Sequence, residues 1–389
     1  MSLQKILFQP MSKPGFLKLF VFALALTAGI IFIFIRPGQL QAGDFMMIAW
    51  QPGQEILQTG TVHAEYPYPL WTALMMLPFA MGSPEMGALF LLIVNVVMLA
   101  ASIALLVLFF DWDITPFLFV MMTLLCVLFL PILSSLWVGQ LTIFSLLVLV
   151  LSVHFFLHER WAWLGIVLAL SFIKPQMMLL LAGLFLLWAL WQRRWQVLMG
   201  FGGTMLLFVL ISLPFMERPS QLIGGGIGVH LETFLIATST IWGATMKPGL
   251  PWQVPFVLSL GMMIWLGWVW LPFVQGKEIS TNRFLFLCSA AILVNLVVVP
   301  YSWMHNLTLM LLPFAYSLWL ITKRKGTDRT VWLTLLVFVT HPLMVLLFFM
   351  LSLPSVSQAY QGIPALILLP MMVFLEYKNN QAVLLATVS

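Results

Sequence analysis

Four polar residues from distant parts of the chain stand out against an apolar background. They are Asp44 in Gly43-Asp44-Phe45, Gln140 in Trp137-Val138-Gly139-Gln140, Lys174 in Lys174-Pro175, and His305 in Tyr301-Ser302-Trp303-Met304-His305. A carboxylate at Asp44 can act as a general base, taking a proton from a hydroxyl as that oxygen attacks. Glu55 and Glu65 follow in the same polar stretch, and spacing excludes neither as a rival. Lys174 brings positive charge to an anion, while His305 brings a donor or a cation whose proton state depends on burial. Gln140 carries both amide donors and a carbonyl acceptor, which suits a sugar, a phosphate or a helix end. The run Tyr66-Pro67-Tyr68-Pro69-Leu70-Trp71 sets prolines of fixed φ among amphipathic rings, a stiff segment for a ligand pocket or an interfacial belt.

The elements that must hold these residues are dictated by hydropathy. The chain is 62% hydrophobic and 7% charged with a mean hydropathy of +1.07, which places it in a lipid bilayer. Its apolar runs are continuous rather than alternating, so an all-α polytopic bundle is expected and a barrel is not. The formal charge of +5 comes from basic residues scattered in short connections, which reports orientation and not nucleic-acid binding. Cys126 and Cys288 each lie inside an apolar run, against a disulfide framework. His154 with His158 is the only histidine pair at a ligating spacing, and no acid lies between them, so no metal or cofactor is expected. His341, inside an apolar run before Pro342, reads as a packing or kink residue. Lys5, Lys13 and Lys18 precede a span-length run without a cleavage pattern, which predicts an uncleaved first helix.

About twelve transmembrane helices are expected, over 16–35, 86–110, 114–131, 141–157, 161–173, 176–191, 196–215, 251–274, 284–299, 306–322, 330–353 and 363–376. Together they form one domain over 1–389, with non-cytoplasmic loops 36–85 and 216–250 covering the site. The segment 161–191 is either one long kinked helix or two short ones, and charge decides. Two short helices keep Arg160, Arg193, Arg194, Lys277, Arg283 and the Lys323, Arg324, Lys325, Arg329 cluster on the side of the N-terminus. One merged helix would send most of them outward, against the positive-inside bias. The same choice puts Asp44, Gln140, Lys174 and His305 on the non-cytoplasmic face. A helix of 13 residues over 161–173 is about 20 Å long, too short for the hydrocarbon core, so Lys174 is expected below the outer surface. A lysine there needs an anion or a water-filled cavity, or must snorkel. Loop 216–250 offers Arg218 and Lys247 as further cations, with His230 and Glu232 between them. Its Gly224-Gly225-Gly226 lacks phosphate-loop spacing around a lysine.

Taken in order, Gly43-Asp44-Phe45, Tyr68-Pro69, Gly139-Gln140, Lys174-Pro175 and Ser302-Trp303 with His305 resemble the multi-spanning enzymes of glycosyltransferase family 87, in the GT-C superfamily. The resemblance implies a polyprenyl-phosphate-sugar donor, often mannose-bearing, used on the non-cytoplasmic face of a cell membrane with inversion at the anomeric carbon. It implies a lipid-linked or glycan acceptor, no nucleic acid, Asp44 as the base, Lys174 and His305 at the donor phosphate, and Gln140 and Tyr68 in the pocket wall. Asn306 stands where a second histidine can occur. The competing class is a polytopic transporter or lipid flippase, which would place ionisable groups around a midplane cavity between two related halves. No paired half-repeat is visible in this chain.

Overall fold

The computed structural model describes residues 15–34, 43–110, 112, 115–224, 235, 238–323, 326–351 and 361–388. Lys5, Lys13, Arg36, His230, Glu232, Arg324 and Lys325 lie outside them. The described residues form helices and connections, with no strand among them. In chain order the principal helices are α1 (Phe16–Phe34), α2 (Gln51–Thr59), α3 (Leu70–Ala80), α4 (Pro84–Leu108), α5 (Pro116–Val127) and α6 (Leu130–Val138). The middle of the chain forms α7 (Thr142–Leu157), α8 (Trp161–Leu170), α9 (Leu179–Trp191), α10 (Trp195–Ser212), α11 (Ile241–Met246) and α12 (Gln253–Val274). The last five are α13 (Thr281–Val298), α14 (Leu311–Thr322), α15 (Gly326–Thr340), α16 (Pro342–Leu351) and α17 (Ile363–Val388).

Among the described residues, six helices are long and apolar enough to cross a membrane, or seven if the bent pair α5–α6 counts as one span. Several segments expected to span are shorter: Thr142–Leu157, Trp161–Ile173 and Leu179–Trp191 are apolar helices of sub-span length. The reason is local, because turns and breaks interrupt hydrophobic runs that are continuous in sequence. The stretch 36–85 is also not the plain loop expected. It holds a helical turn at Gly43–Phe45, a π turn at Met46–Trp50, then α2 and α3. Pro52 starts α2 at a position where a missing N–H costs nothing, and Gly60 ends it in the left-handed conformation.

The segment 161–191 is two helices rather than one. A 3-10 turn at Ser171–Ile173 closes α8, Lys174 breaks the helix at φ −138° and ψ 74°, and a second 3-10 turn at Pro175–Met177 leads into α9. Both far ends return to the same end of the bundle. Trp161, at the start of α8, packs 5.4 Å from Trp188 near the end of α9, and the Arg194 guanidinium lies 4.7 Å over the Trp161 ring. A single kinked helix would hold those residues far apart. α8 and α10 then run side by side in close contact, because Gly165 and Gly200 carry no Cβ. One at Gly165 would sit 2.1 Å from the Val197 carbonyl oxygen, and one at Gly200 2.4 Å from that of Ala162.

Packing divides the buried apolar residues into two bodies that meet near this break. A large core includes Phe185, Trp270, Phe284, Tyr316 and Met177. A smaller one gathers Phe45, Tyr66, Tyr68, Trp71, Leu141 and Ile173 beneath the 43–80 segment. Ile173 belongs to one and Met177 to the other, so Lys174 stands at their seam.

Candidate active site

The break around Lys174 exposes backbone groups that a bilayer cannot hydrate, and residues from other segments satisfy them. On the incoming side, Trp71 Nε1 donates to the Phe172 carbonyl at 3.2 Å, and Thr72 Oγ1 to that of Ile173 at 2.9 Å. On the outgoing side, Asn295 Nδ2 donates to the Gln176 and Met177 carbonyls at 2.9 Å each, and its Oδ1 accepts from the Leu180 amide at 3.1 Å. Asn295 sits in α13 among buried apolar residues. One amide side chain therefore completes the first turn of α9.

A chain of hydrogen bonds runs across the seam. Gln140 Nε2 donates to Asp44 Oδ2 at 2.6 Å, and Gln140 Oε1 accepts from Lys174 Nζ at 2.9 Å. Lys174 Nζ also donates to Asn306 Oδ1 at 2.9 Å, and Asn306 Nδ2 donates to Ser302 Oγ at 3.2 Å. Gln140 bridges the carboxylate and the ammonium without bringing them into contact. Lys174 is 1% exposed, Gln140 3% and Asn306 1%, whereas Asp44 is half-buried at the open end of the chain. Among the described residues no carboxylate lies within ion-pair distance of Lys174, and two of its three N–H groups are spent on neutral amide oxygens.

Each member is positioned by a local irregularity. Asp44 lies on the short turn ahead of the π turn, and Tyr66 OH braces that turn by donating to the Ile48 carbonyl at 2.9 Å. Gln140 follows Gly139, which ends α6 at φ +72°, a conformation that favours glycine. A Cβ at Gly139 would also fall 2.7 Å from the Phe45 Cβ, so the glycine lets the Asp44 turn approach Gln140. Asn306 sits in the 3-10 turn Met304–Met310, which packs against α6 and α7. Ser302 is fixed in turn by Thr238 and Ser239. The Ser302 amide donates to Thr238 Oγ1 at 2.8 Å, and the Ser239 amide donates to the Ser302 carbonyl at 2.7 Å.

Tyr68 is buried beside this chain. Burial holds its phenol well above the ordinary range, with Tyr301 and Asp44 acting in the same direction and the Gln140 side chain opposing. It therefore stays a neutral hydroxyl. His305 lies within electrostatic reach of Lys174, while its backbone carbonyl accepts from Thr308 Oγ1 at 2.7 Å. The rival acids stand elsewhere. Glu55 is half-buried and accepts from the His63 amide at 2.9 Å, with His63 Nδ1 at 2.7 Å, and Glu65 is exposed on the turn before Tyr66. Arg218 and Lys247 are both exposed, and neither has a hydrogen bond or ion pair to the chain among the described residues. Arg218 caps the turn Pro219–Leu222, whose Gln221 reaches the Val62 carbonyl at 2.8 Å, and Lys247 follows α11.

Five polar side chains spread from residue 44 to residue 306 thus converge on one seam of an apolar helical bundle. The model of glycosyltransferase family 87 matches residues 66–223. Over that stretch, less than half of the chain, the sequence is similar to glycosyltransferase family 87. No curated protein and no solved structure matches it. The matched family is one of glycosyltransferases. The matched stretch holds Tyr68, Gln140 and Lys174, while Asp44, Ser302, His305 and Asn306 lie outside it. Asn295 and Thr72 were not singled out in the sequence, and Ser302 was noted only as a neighbour of Trp303 and His305. The available signal was Asn295 itself, an isolated amide inside an apolar run, which a bilayer tolerates only with partners.

Proposed function

We propose that this chain is a membrane glycosyltransferase of the family 87 type that transfers a hexosyl group, in the first instance mannosyl, from a polyprenyl-phosphate sugar to a hydroxyl of a lipid-linked or glycan acceptor. The transfer takes place on the non-cytoplasmic face of the cell membrane, with Asp44 as base. In this reading the acceptor oxygen attacks the anomeric carbon as Asp44 removes its proton. The bond from that carbon to the phosphate oxygen breaks on the opposite side, with inversion. The polyprenyl phosphate leaves with one more negative charge than it carried as a diester. Lys174 meets that charge, with His305 beside it, and no divalent ion is required.

The observation that carries the proposal is the Lys174 side chain, 1% exposed, with no carboxylate within ion-pair distance among the described residues and Asp44 one amide away. A buried lysine in a membrane protein is costly unless an anion meets it, and the cost is offset when a phosphate arrives. Asp44, half-buried at the outer end, remains open to a hydroxyl. The test is incubation of purified protein with a panel of polyprenyl-phosphate sugars and lipid-linked acceptors, with mass spectrometry of the products. Transfer from one donor, unchanged by chelator, is expected. Movement of the lipid-linked sugar between leaflets with no transfer product would reverse the reading in favour of a flippase.

A further inference from the structure

The bend between α5 and α6 is 55°. It determines where Gln140 arrives, because α6 ends at Val138 and only Gly139 intervenes. At the bend, the Phe129 amide, which in a continued helix would reach the Leu125 carbonyl, donates instead to Cys126 at 3.3 Å. The Leu125 carbonyl takes its hydrogen from His341 Nε2 at 2.9 Å. A carbonyl can only accept, so Nε2 carries the hydrogen and Nδ1 is left as an acceptor, 2.9 Å from Thr340 Oγ1. The imidazole lies between Phe129 of the bend, at 5.8 Å between ring centroids, and Phe314 of α14, at 6.0 Å. His341 itself stands at the junction of α15 and α16, where Pro342 opens the second helix. One side chain thus ties the junction of two C-terminal helices to the carbonyl freed by the bend in α5–α6.

We infer that His341 is a positioning residue for the transfer reaction: it latches the α5–α6 bend and through it seats Gln140 between Asp44 and Lys174. The inference rests on the reading of that seam as the active site. Without the latch the Leu125 carbonyl is stranded, and because Pro131 opposes a continued helix the bend relaxes to another angle instead of straightening fully. The arm from Phe129 to Gln140 is about 16 Å, so even a 10° change moves its tip by about 3 Å.

Two measurements test this. Spin labels at Met121→Cys and Ser134→Cys, with Cys126→Ala and Cys288→Ala, report the bend without reference to activity. His341→Leu is expected to shift their distance distribution, and His341→Gln, which keeps a donor, to restore it. In parallel, His341→Leu should lower kcat by about 10- to 100-fold, as a misplaced group does, with donor KM within about twofold and recovery in His341→Gln. In a Gln140→Ala background the same substitution should cost no further kcat. An unchanged label distance in His341→Leu would overturn the latch, as would losses that multiply with those of Gln140→Ala. A shifted distance in a protein whose unsubstituted form transfers no sugar would uphold the latch and overturn the functional reading alone.

Discussion

Asp44→Asn tests the proposed base with the smallest disturbance of the structure. The substituted amide still presents an oxygen to Gln140 Nε2, so the 2.6 Å bond and the chain through Lys174 to Asn306 persist. What disappears is the proton acceptor and one negative charge, and the two losses act on different kinetic constants. Loss of a general base costs about 10²- to 10⁴-fold in turnover, or about 2.7–5.5 kcal/mol on the barrier. Loss of the charge acts on donor binding with the opposite sign. A phosphate held at Lys174 would stand about 8–10 Å from the carboxylate, where like charges repel by about 2 kcal/mol at an effective dielectric of about 20. Removing that repulsion tightens donor binding by up to about 30-fold. The expected result is a kcat reduced by at least about 100-fold with a donor KM that is unchanged or lower. Initial rates across a donor titration, with product quantified by mass spectrometry and thermal unfolding followed alongside, separate the two effects. A kcat within about threefold of the unsubstituted protein, or a raised KM at full kcat, would refute Asp44 as the base.

Lys174→Met keeps most of the side-chain volume and removes the charge. Because charged hydrogen bonds are worth about 1.5–3 kcal/mol, donor KM should rise about 10- to 150-fold with the fold retained, as a donor titration would reveal. Asn295→Leu leaves the Gln176 and Met177 carbonyls and the Leu180 amide without partners. At about 1–3 kcal/mol for each of the three stranded groups, less about 1.5–3 kcal/mol of apolar gain from leucine, it should destabilise by about 1.5–6 kcal/mol, and an unchanged unfolding temperature would show that the break stands without it. Gly139→Ala adds about 1–2 kcal/mol of left-handed strain and pushes against Phe45, so transfer should fall about 100-fold for a displacement near 1 Å while the protein remains folded.

Hydropathy revealed an apolar helical chain, and positive charge at Arg160, Arg193 and Arg194 resolved the two short helices around Lys174 before any packing was known. The approach of Trp161 to Trp188 agrees with that division. Of the twelve expected spans, six stand among the described residues as single helices of full span length, because hydropathy sums over residues and is blind to where a helix breaks. The run 114–131 is broken within its expected bounds, where α5 ends at Val127 and α6 begins at Leu130 across the bend, and 36–85 contains helices that its prolines and glycines conceal. Polar type and order were sufficient to single out Asp44, Gln140, Lys174 and Tyr68. They could not rank Arg218 or Lys247 against Asn306, because an exposed cation and a buried amide look alike until burial is known. Asn306 pairs with Lys174 at 2.9 Å, whereas both cations face outward.

The proposed site occupies places where helices fail. Lys174 is a helix break, Gln140 follows a left-handed glycine, Asp44 precedes a π turn and Asn306 lies in a 3-10 turn. In a bilayer each failure strands backbone groups, and each is repaired by a residue distant in sequence: Thr72 and Asn295 for the Lys174 break, His341 for the bend before Gln140. Irregular backbone points polar side chains into a seam that regular helices would fill with apolar ones. The cost is that the site forms only after segments around residues 72, 140, 174, 295 and 341 have come together. Substitutions at Thr72, Asn295 or His341 should therefore disturb Lys174 or Gln140 even though none of the three joins the chain itself. A local arrangement of the same polar groups on one helix would lack that dependence, and independent, additive effects of Asn295→Leu and Lys174→Met on donor KM would indicate it.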